Sequence, residues 1–343
     1  MKKLGMGILW LVWLVSCSGS EGSLSDSSLA TGSLGDEPLA EKAQALGTPT
    51  LVVDGVDPES IAVTGSRVFF INQGASGYQV VKASTLSSGT SVIASYPEVA
   101  SSIVADTNNV YWTVPNTLYT SSNGGLWTRP VNEGTPRRLA EWHFRSWCVQ
   151  ALFATGDSES SVFHAQYRSS VYRTFQVPAS AFGWLTRSLF PASGSVRPRT
   201  LTADASHVVF AEDDGDVFVL PRSGGTPLLL GTGSIASGPT TQTLVASTGT
   251  FAYFSSATGI FKVPITGGAA TSFVSVSEPP AAMAIDGGYL YWACRGCGTV
   301  MRRPLSGGSS TTVATGESAP HSLAFDASNI YFGTNTSLKR VAK

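Results

Sequence analysis

The sequence predicts an all-β fold: a seven-bladed β-propeller of four-stranded antiparallel blades, closed into a ring by an N-terminal strand. Three observations predict it. A pair of short apolar strands recurs along the chain with a constant internal spacing. A second pair, built around a proline and a glycine turn, follows it in several copies. The two ends of the repeat region are complementary, one carrying a spare strand and the other lacking one.

The chain opens with MKKLGMGILWLVWLVSC. Lys2 and Lys3 make a positive start, and Ile8 to Val15 form an apolar run too short to span a bilayer, as in a secretory signal peptide. Leu14-Val15-Ser16-Cys17 resembles the lipobox of bacterial lipoproteins. That resemblance implies cleavage before Cys17, lipidation of its sulfur and a membrane partner reached through the lipid. Ser18, where an Asp would signal inner-membrane retention in that family, directs the expectation to the outer membrane of a bacterial cell envelope, on its periplasmic or surface face. An ordinary cleaved signal ending in cysteine is the alternative. Residues 18–47 are dominated by Ser, Gly and acids and cannot bury enough apolar surface to offset their ordering entropy. They read as a disordered tether.

Residues 48–343 then form the propeller domain. Charged residues make up only 13% of the chain and the formal net charge is −1, which excludes an electrostatic footprint for nucleic acid. The first strand pair reads IAVTGSRVFFI from Ile61, IVADTNNVYWT from Ile103, LTADASHVVFA from Leu201, LVASTGTFAYF from Leu244, MAIDGGYLYWA from Met283 and LAFDASNIYFG from Leu323. The second-strand anchors are Val68, Val110, Val208, Phe251, Leu290 and Ile330, each seven residues after the first. A degraded copy from Leu152 inserts three residues before its anchor Val162. With it, anchors are 39 to 52 residues apart, room for four short strands and their turns.

The second half of each unit is seen in LWTRPVNEGTPRRLA, VFVLPRSGGTPLLL, IFKVPITGGAATSFV and VMRRPLSGGSSTTVA. Alternation at period two marks half-buried strands, proline marks a strand end or edge, and Gly-Gly supplies positive φ in a turn. The last unit stops at LKRVAK, one strand short, while TPTLVVDG at 48–55 is an orphan strand that could complete it. Six blades would discard 141–199 and eight would need two sheets there; seven is favoured. NNVYWT at 108–113 and YLYWA at 289–293 resemble the YWTD repeat of LDL-receptor-type propellers, and the units as a whole resemble NHL-type bacterial propeller repeats. The resemblance implies fold. Val114 stands where that motif has its Asp, so the family's calcium and receptor roles do not carry over.

Cys294-Arg295-Gly296-Cys297 lies between two strands of the sixth unit rather than at a strand-to-helix junction, which argues against a thioredoxin-like redox couple. Zinc would need about four ligands, and the chain has no second C-x-x-C and only 4 His. A disulfide across the loop, formed in an oxidising compartment, is the reading adopted, with no metal and no cofactor. Cys148 is then left over, expected to be buried beside Trp147.

Two regions are candidate sites. The residue two before each first-strand anchor marks the mouth of the central channel: Glu59, Ser101, Gln150, Arg199, Gln242, Ala281 and His321. The third unit carries EWHFRSWCVQ, whose Trp142, His143, Phe144, Arg145 and Trp147 suit a protein- or sugar-binding surface, with Trp184 and Arg187 in the same region. Asp213-Asp214-Gly215-Asp216 lacks the order of a calcium loop and reads as a type I′ hairpin with Asp-Gly at its tip. The expected function is a non-catalytic binding or scaffold module for a protein, peptide or glycan at the cell envelope. The alternatives are a propeller lyase or hydrolase acting through Glu59, Arg199 and His321, and a structural envelope protein.

Overall fold

A computed structural model describes residues 46–343 except 75–76, 86–88, 98, 116–123, 142–151, 155–160, 167–169, 177–183, 190–197 and 234–241. The expected signal, Cys17 and nearly all of the expected tether therefore lie outside the described residues. No helix among the described residues is long and apolar enough to cross a membrane.

The strands follow one another in a single rhythm. After β1 (Thr50–Asp54), blade 1 holds β2 (Pro58–Thr64), β3 (Arg67–Gly74), β4 (Gly77–Ser84) and β5 (Thr90–Tyr96). Blade 2 holds β6 (Ser102–Ala105), β7 (Asn109–Val114), β8 (Gly125–Pro130) and β9 (Arg137–Glu141), and blade 3 β10 (Leu152–Ala154), β11 (Val162–Gln166), β12 (Ser170–Gln176) and β13 (Trp184–Ser188). Blade 4 holds β14 (Pro198–Ala203), β15 (His207–Glu212), β16 (Asp216–Pro221) and β17 (Leu228–Thr232). Blade 5 holds β18 (Val245–Ser247), β19 (Phe251–Ser255), β20 (Gly259–Pro264) and β21 (Thr271–Ser275). Blade 6 holds β22 (Ala282–Asp286), β23 (Tyr289–Cys294), β24 (Thr299–Pro304) and β25 (Thr311–Thr315). Blade 7 holds β26 (Ser322–Phe325), β27 (Asn329–Thr334) and β28 (Ser337–Ala342), and β1 is its fourth, outermost strand. All seven sheets are antiparallel, with four strands each.

Local chemistry explains the repeat. The Asp after the first strand turns the chain: Asp106 Oδ1 accepts the N–H groups of Asn108 and Asn109, both at 2.7 Å, and Asp326 Oδ1 does the same for Ser328 and Asn329. The tyrosine of the second strand reaches back, Tyr111 Oη donating to Asp106 Oδ2 at 3.0 Å and Tyr331 Oη to Asp326 Oδ2 at 2.7 Å. Burial alone would raise the Asp326 carboxyl, but these bonds outweigh it and hold it below the usual range. The prolines sit at third-strand ends, and each Pro-x-x-Gly closes a turn, Gly267 N–H donating to the Pro264 carbonyl and Gly307 to that of Pro304, both at 3.0 Å.

The aromatic pairs of the second strands fill the gaps between blades. Successive residues on a strand face opposite ways, so Phe69 packs towards Trp112 of blade 2 while Phe70 packs against Tyr331 of blade 7. Inner strands touch their neighbours all round, from β2 through β6, β10, β14, β18 and β22 to β26 and back to β2.

Blade 5 corrects the sequence alignment by one residue. Val245 pairs with Phe254 as Ile103 pairs with Trp112, so the anchors there are Val245 and Ala252, not Leu244 and Phe251. Ala252 is wholly buried, whereas Phe251 lies beneath Lys262 Nζ at 3.9 Å. The loop at 213–215 also differs. Ala211 pairs with Val217, Gly215 N–H donates to the Glu212 carbonyl, and only Gly215 has positive φ. It is a three-residue loop, a turn over Asp213 and Asp214 followed by a left-handed glycine, rather than a type I′ turn.

In blade 3, Leu152 pairs with His164, which thus takes the place of the second aromatic. His164 is buried and stacked on Tyr172 at 5.5 Å, and burial pushes its pKa down to about 3. A depressed folded pKa means that the neutral ring's contribution is present above the unfolded value of about 6.5 and is lost as pH falls towards about 3. His164→Phe is expected to flatten the loss of stability between pH 6.5 and 3, measured as urea midpoints at several pH values.

Candidate functional site

All first strands run the same way, so their starts gather at one end of the ring. In blades 1 and 4 this start carries a β-bulge, between Pro58 and Ser60 and between Pro198 and Thr200. Glu59 and Arg199 are the extra residues, and bulges of this kind re-aim a side chain at the ring's rim. Ser101 Oγ lies 2.9 Å from Thr113 Oγ1. Gln150 lies outside the described residues. In blade 5 the one-residue correction puts Thr243, 2% exposed, at the position sequence counting gave to Gln242. Ala281 contributes only a methyl group.

One sector of this end has a defined electrostatic structure. His321, in the loop leading into β26, has a side chain 2% exposed. Its Nδ1 lies 2.9 Å from the Ala319 carbonyl, which can only accept, so Nδ1 carries the proton. Nε2 faces Asp57 Oδ1 at 3.3 Å, a contact that is an ion pair whenever Nε2 is protonated too. Ala319 holds φ of 51° and precedes Pro320, a costly backbone for a non-glycine residue. That strain is confined to the loop that aims the ring. Asp57 is fixed in turn, its N–H donating to Asn72 Oδ1 at 2.8 Å and its carbonyl accepting from Gln73 N–H at 3.3 Å.

Glu59 completes the sector. Burial raises its carboxyl above the ordinary value, opposed by the positive potential of His321, reinforced by Asp57 and opposed again by Arg295. Blades 1 and 7 thus bring Glu59 and His321 into one electrostatic group, with Arg295 reaching it from blade 6. Arg199 belongs to blade 4, three blades from either, and does not join them. A raised folded pKa makes the Glu59 contribution complete below the unfolded pKa and lost as pH rises through the folded one. Glu59→Gln should therefore gain stability relative to the parent as pH rises above the ordinary glutamate value of about 4.3, read from paired denaturation curves.

The Cys294–Cys297 disulfide is formed, with Cα atoms 5.2 Å apart, at the end of the β23–β24 hairpin. Glu278, from the segment after β21, reaches over it: its Oε1 accepts the Gly296 N–H at 2.5 Å and lies 3.1 Å from Cys294 Sγ. A Cβ at Gly296 would meet the Glu278 carboxylate, the far end of a flexible side chain, and displace it. Gly298, at φ of 63°, turns the chain back into β24.

Trp142, His143, Phe144, Arg145, Trp147 and Cys148 lie outside the described residues. Trp184 opens β13, and Arg187 on the same strand is exposed. Asp57, Arg295 and Glu278 were missed by sequence reasoning. Arg295 lies inside the C-x-x-C stretch, which was read for its sulfurs alone; no motif marks Asp57 or Glu278, though counting back from the inner strand two residues further would have found Asp57.

No family model matches the chain, and neither does any curated protein. Solved structures do. The computationally designed Ika8 protein is similar at a TM-score of 0.57 and 12% identity, covering 85% of this chain and 99% of its own. A candidate 6-phosphogluconolactonase from Bacteroides fragilis is similar at 0.54 and 15% identity, covering 80% of this chain and 86% of its own. The likeness is one of fold. At these identities it extends to no activity of either protein.

Proposed function

We propose that this chain is a lipid-anchored, non-catalytic binding propeller of the bacterial cell envelope, presenting the end of the ring where its first strands begin to a protein, peptide or glycan. One observation carries this reading: the strained loop into β26 holds the buried His321 ring by its Nδ1–H to the Ala319 carbonyl and turns Nε2 towards Asp57 Oδ1, 3.3 Å away. Burial and that bond fix the ring in one orientation at the start of the inner strand. Around it the rim offers chemically different groups, Glu59, Ser101 and Arg199, which suits recognition of an irregular polar partner. The anchor is supported by Leu14-Val15-Ser16-Cys17 after a short apolar run.

The test is a glycan array and an envelope-extract pull-down with Cys17→Ala protein, parent and His321→Ala side by side. Specific capture by the parent, weakened at least tenfold in His321→Ala, is the expected result. Capture of nothing at micromolar concentration would leave a purely structural role. Cys17→Ala should also move the protein from the membrane to the soluble fraction, and retention in the membrane would remove the anchor. A hydrolase or lyase reading is favoured by one feature, the raised pKa of Glu59, which suits a general acid. Turnover of any ester, lactone or glycan that Glu59→Gln abolishes would establish it instead.

A further inference from the structure

The loop of blade 6 holds an arrangement that a disulfide alone does not explain. Cys294 Sγ and Glu278 Oε1 stand 3.1 Å apart, the separation of a hydrogen bond. A disulfide sulfur carries no hydrogen, so in the oxidised loop two electron-rich atoms face each other, with the carboxylate held in place by the Gly296 N–H. Either a thiol proton or a cation would make that contact favourable. The three ligand atoms of Glu278, Cys294 and Cys297 lie within 4.8 Å of one another.

Other details fit a metal knuckle. The Cys297 N–H donates to Cys294 Sγ at 3.3 Å, a bond that stabilises negative charge on that sulfur. Ser277 Oγ lies 3.4 Å from Cys297 Sγ, able to donate to the second sulfur. Gly298 supplies the left-handed turn directly after the second cysteine. Cys297 is exposed while Cys294 is buried, so a cation could reach the pair from one side only. Tetrahedral zinc with bond lengths of about 2.3 Å to sulfur and about 2.0 Å to oxygen sets sulfur and oxygen ligands about 3.5 Å apart and two sulfurs about 3.8 Å apart. The first is close to what Cys294 and Glu278 already have. The second needs only that the two sulfurs part when the bond between them opens, and Cα atoms 5.2 Å apart accommodate this.

We propose that this loop is a redox-gated zinc site, held by the thiolates of Cys294 and Cys297 and the carboxylate of Glu278, with solvent in the fourth position. A dithiol reductant opens the site by exchange: it gives two electrons and two protons to the disulfide and becomes a disulfide itself. Zn2+ then displaces the two thiol protons and binds both sulfurs and the carboxylate. A disulfide oxidant reverses the exchange: it takes two electrons from the thiolates and two protons from solvent to become a dithiol, the Cys294–Cys297 bond re-forms, and Zn2+ leaves. Soft thiolates favour zinc over magnesium or calcium, and three protein ligands leave a place for a further group. The inference does not depend on what the channel mouth binds.

The experiment uses full-length protein carrying Cys17→Ala and Cys148→Ser, so that only these two thiols remain. It is reduced with a phosphine, freed of reductant without oxygen and titrated with Co2+, then with Zn2+. The expected result is one equivalent of Co2+ with a near-ultraviolet thiolate-to-metal band, displaced by Zn2+, and no such band in the oxidised protein. Glu278→Gln should weaken binding at least tenfold. Gly296→Ala, which keeps every ligand but pushes the carboxylate aside, should weaken it similarly. Absence of the band in the reduced protein would overturn the proposal, as would equal binding by the oxidised form. Unchanged affinity in both Glu278→Gln and Gly296→Ala would overturn the three-ligand site.

Discussion

A chain deleted for Thr50–Asp54 is expected to lose most of its folding free energy. That segment is the fourth strand of blade 7, paired with β28 from Thr50 opposite Arg340 to Asp54 opposite Ser337. Val52 and Val53 pack on the seam shared by blades 1 and 7, beside Val56, and Gly55 and Val56 donate their N–H groups to the Thr336 carbonyl. Two half-buried valines contribute about 1 kcal/mol each, and the strand's hydrogen bonds about 1 kcal/mol apiece, so the loss is on the order of 5 kcal/mol. That is comparable with the whole stability of many domains. The deletion also bares β28 as an open edge, an invitation to pair with another chain. Urea denaturation with size-exclusion chromatography checks both effects. Val53→Asp should reproduce much of the loss, whereas Leu51→Lys, at a side chain 56% exposed, should change it by less than about 0.5 kcal/mol. An unchanged midpoint in the deletion would mean that the ring does not need this latch.

Trp112→Ala is expected to be the most damaging single substitution in the described core, at about 3–5 kcal/mol. Trp112 is fully buried between blades 1 and 2, and its Nε1–H donates to Tyr96 Oη at 2.9 Å. Burial pushes the Tyr96 hydroxyl up to about 12, only partly offset by the Trp112 bond, so that hydroxyl stays neutral at any ordinary pH. The alanine would leave both a cavity and a buried hydroxyl without its donor. Trp112→Phe keeps most of the ring and loses the bond, at about 1–2 kcal/mol. Thermal and urea unfolding of the two variants separates the packing contribution from the polar one.

The fold was legible because the repeat is written in chemistry rather than in hydrophobicity alone. An Asp that accepts two backbone N–H groups, a tyrosine that reaches back to it and a proline at a strand end recur at fixed offsets. Two adjacent aromatics on one strand, each buried, say that both faces of the sheet are covered, as a blade between two others requires. Where these cues weaken, reading slips. In blade 5 Thr248 stands in for the Asp, donating and accepting through a hydroxyl, and the large Phe251 draws the alignment from the small, buried Ala252. The Asp-Gly pair at 214–215 suggests a two-residue turn, yet the register of β15 and β16 leaves three residues in the loop.

The candidate site was legible only where it is built from the inner strand. Glu59 and His321 follow from counting along the repeat. Asp57, Arg295 and Glu278 come from linkers and a hairpin tip in different blades, brought together by ring geometry that no local pattern encodes. Glu278 in particular is invisible to a search for cysteine and histidine, though it makes the third ligand atom beside the sulfurs.

Joining Thr50 to Arg340 sets the timing of folding as well as its strength. The outermost strand of the last blade precedes every other described strand along the chain, and its partner follows them all. Until the final segment is released, the arc of blades stays unfinished, with both ends open. A ring of this design closes only when β28 is in place, so its last strand is the step on which completion waits.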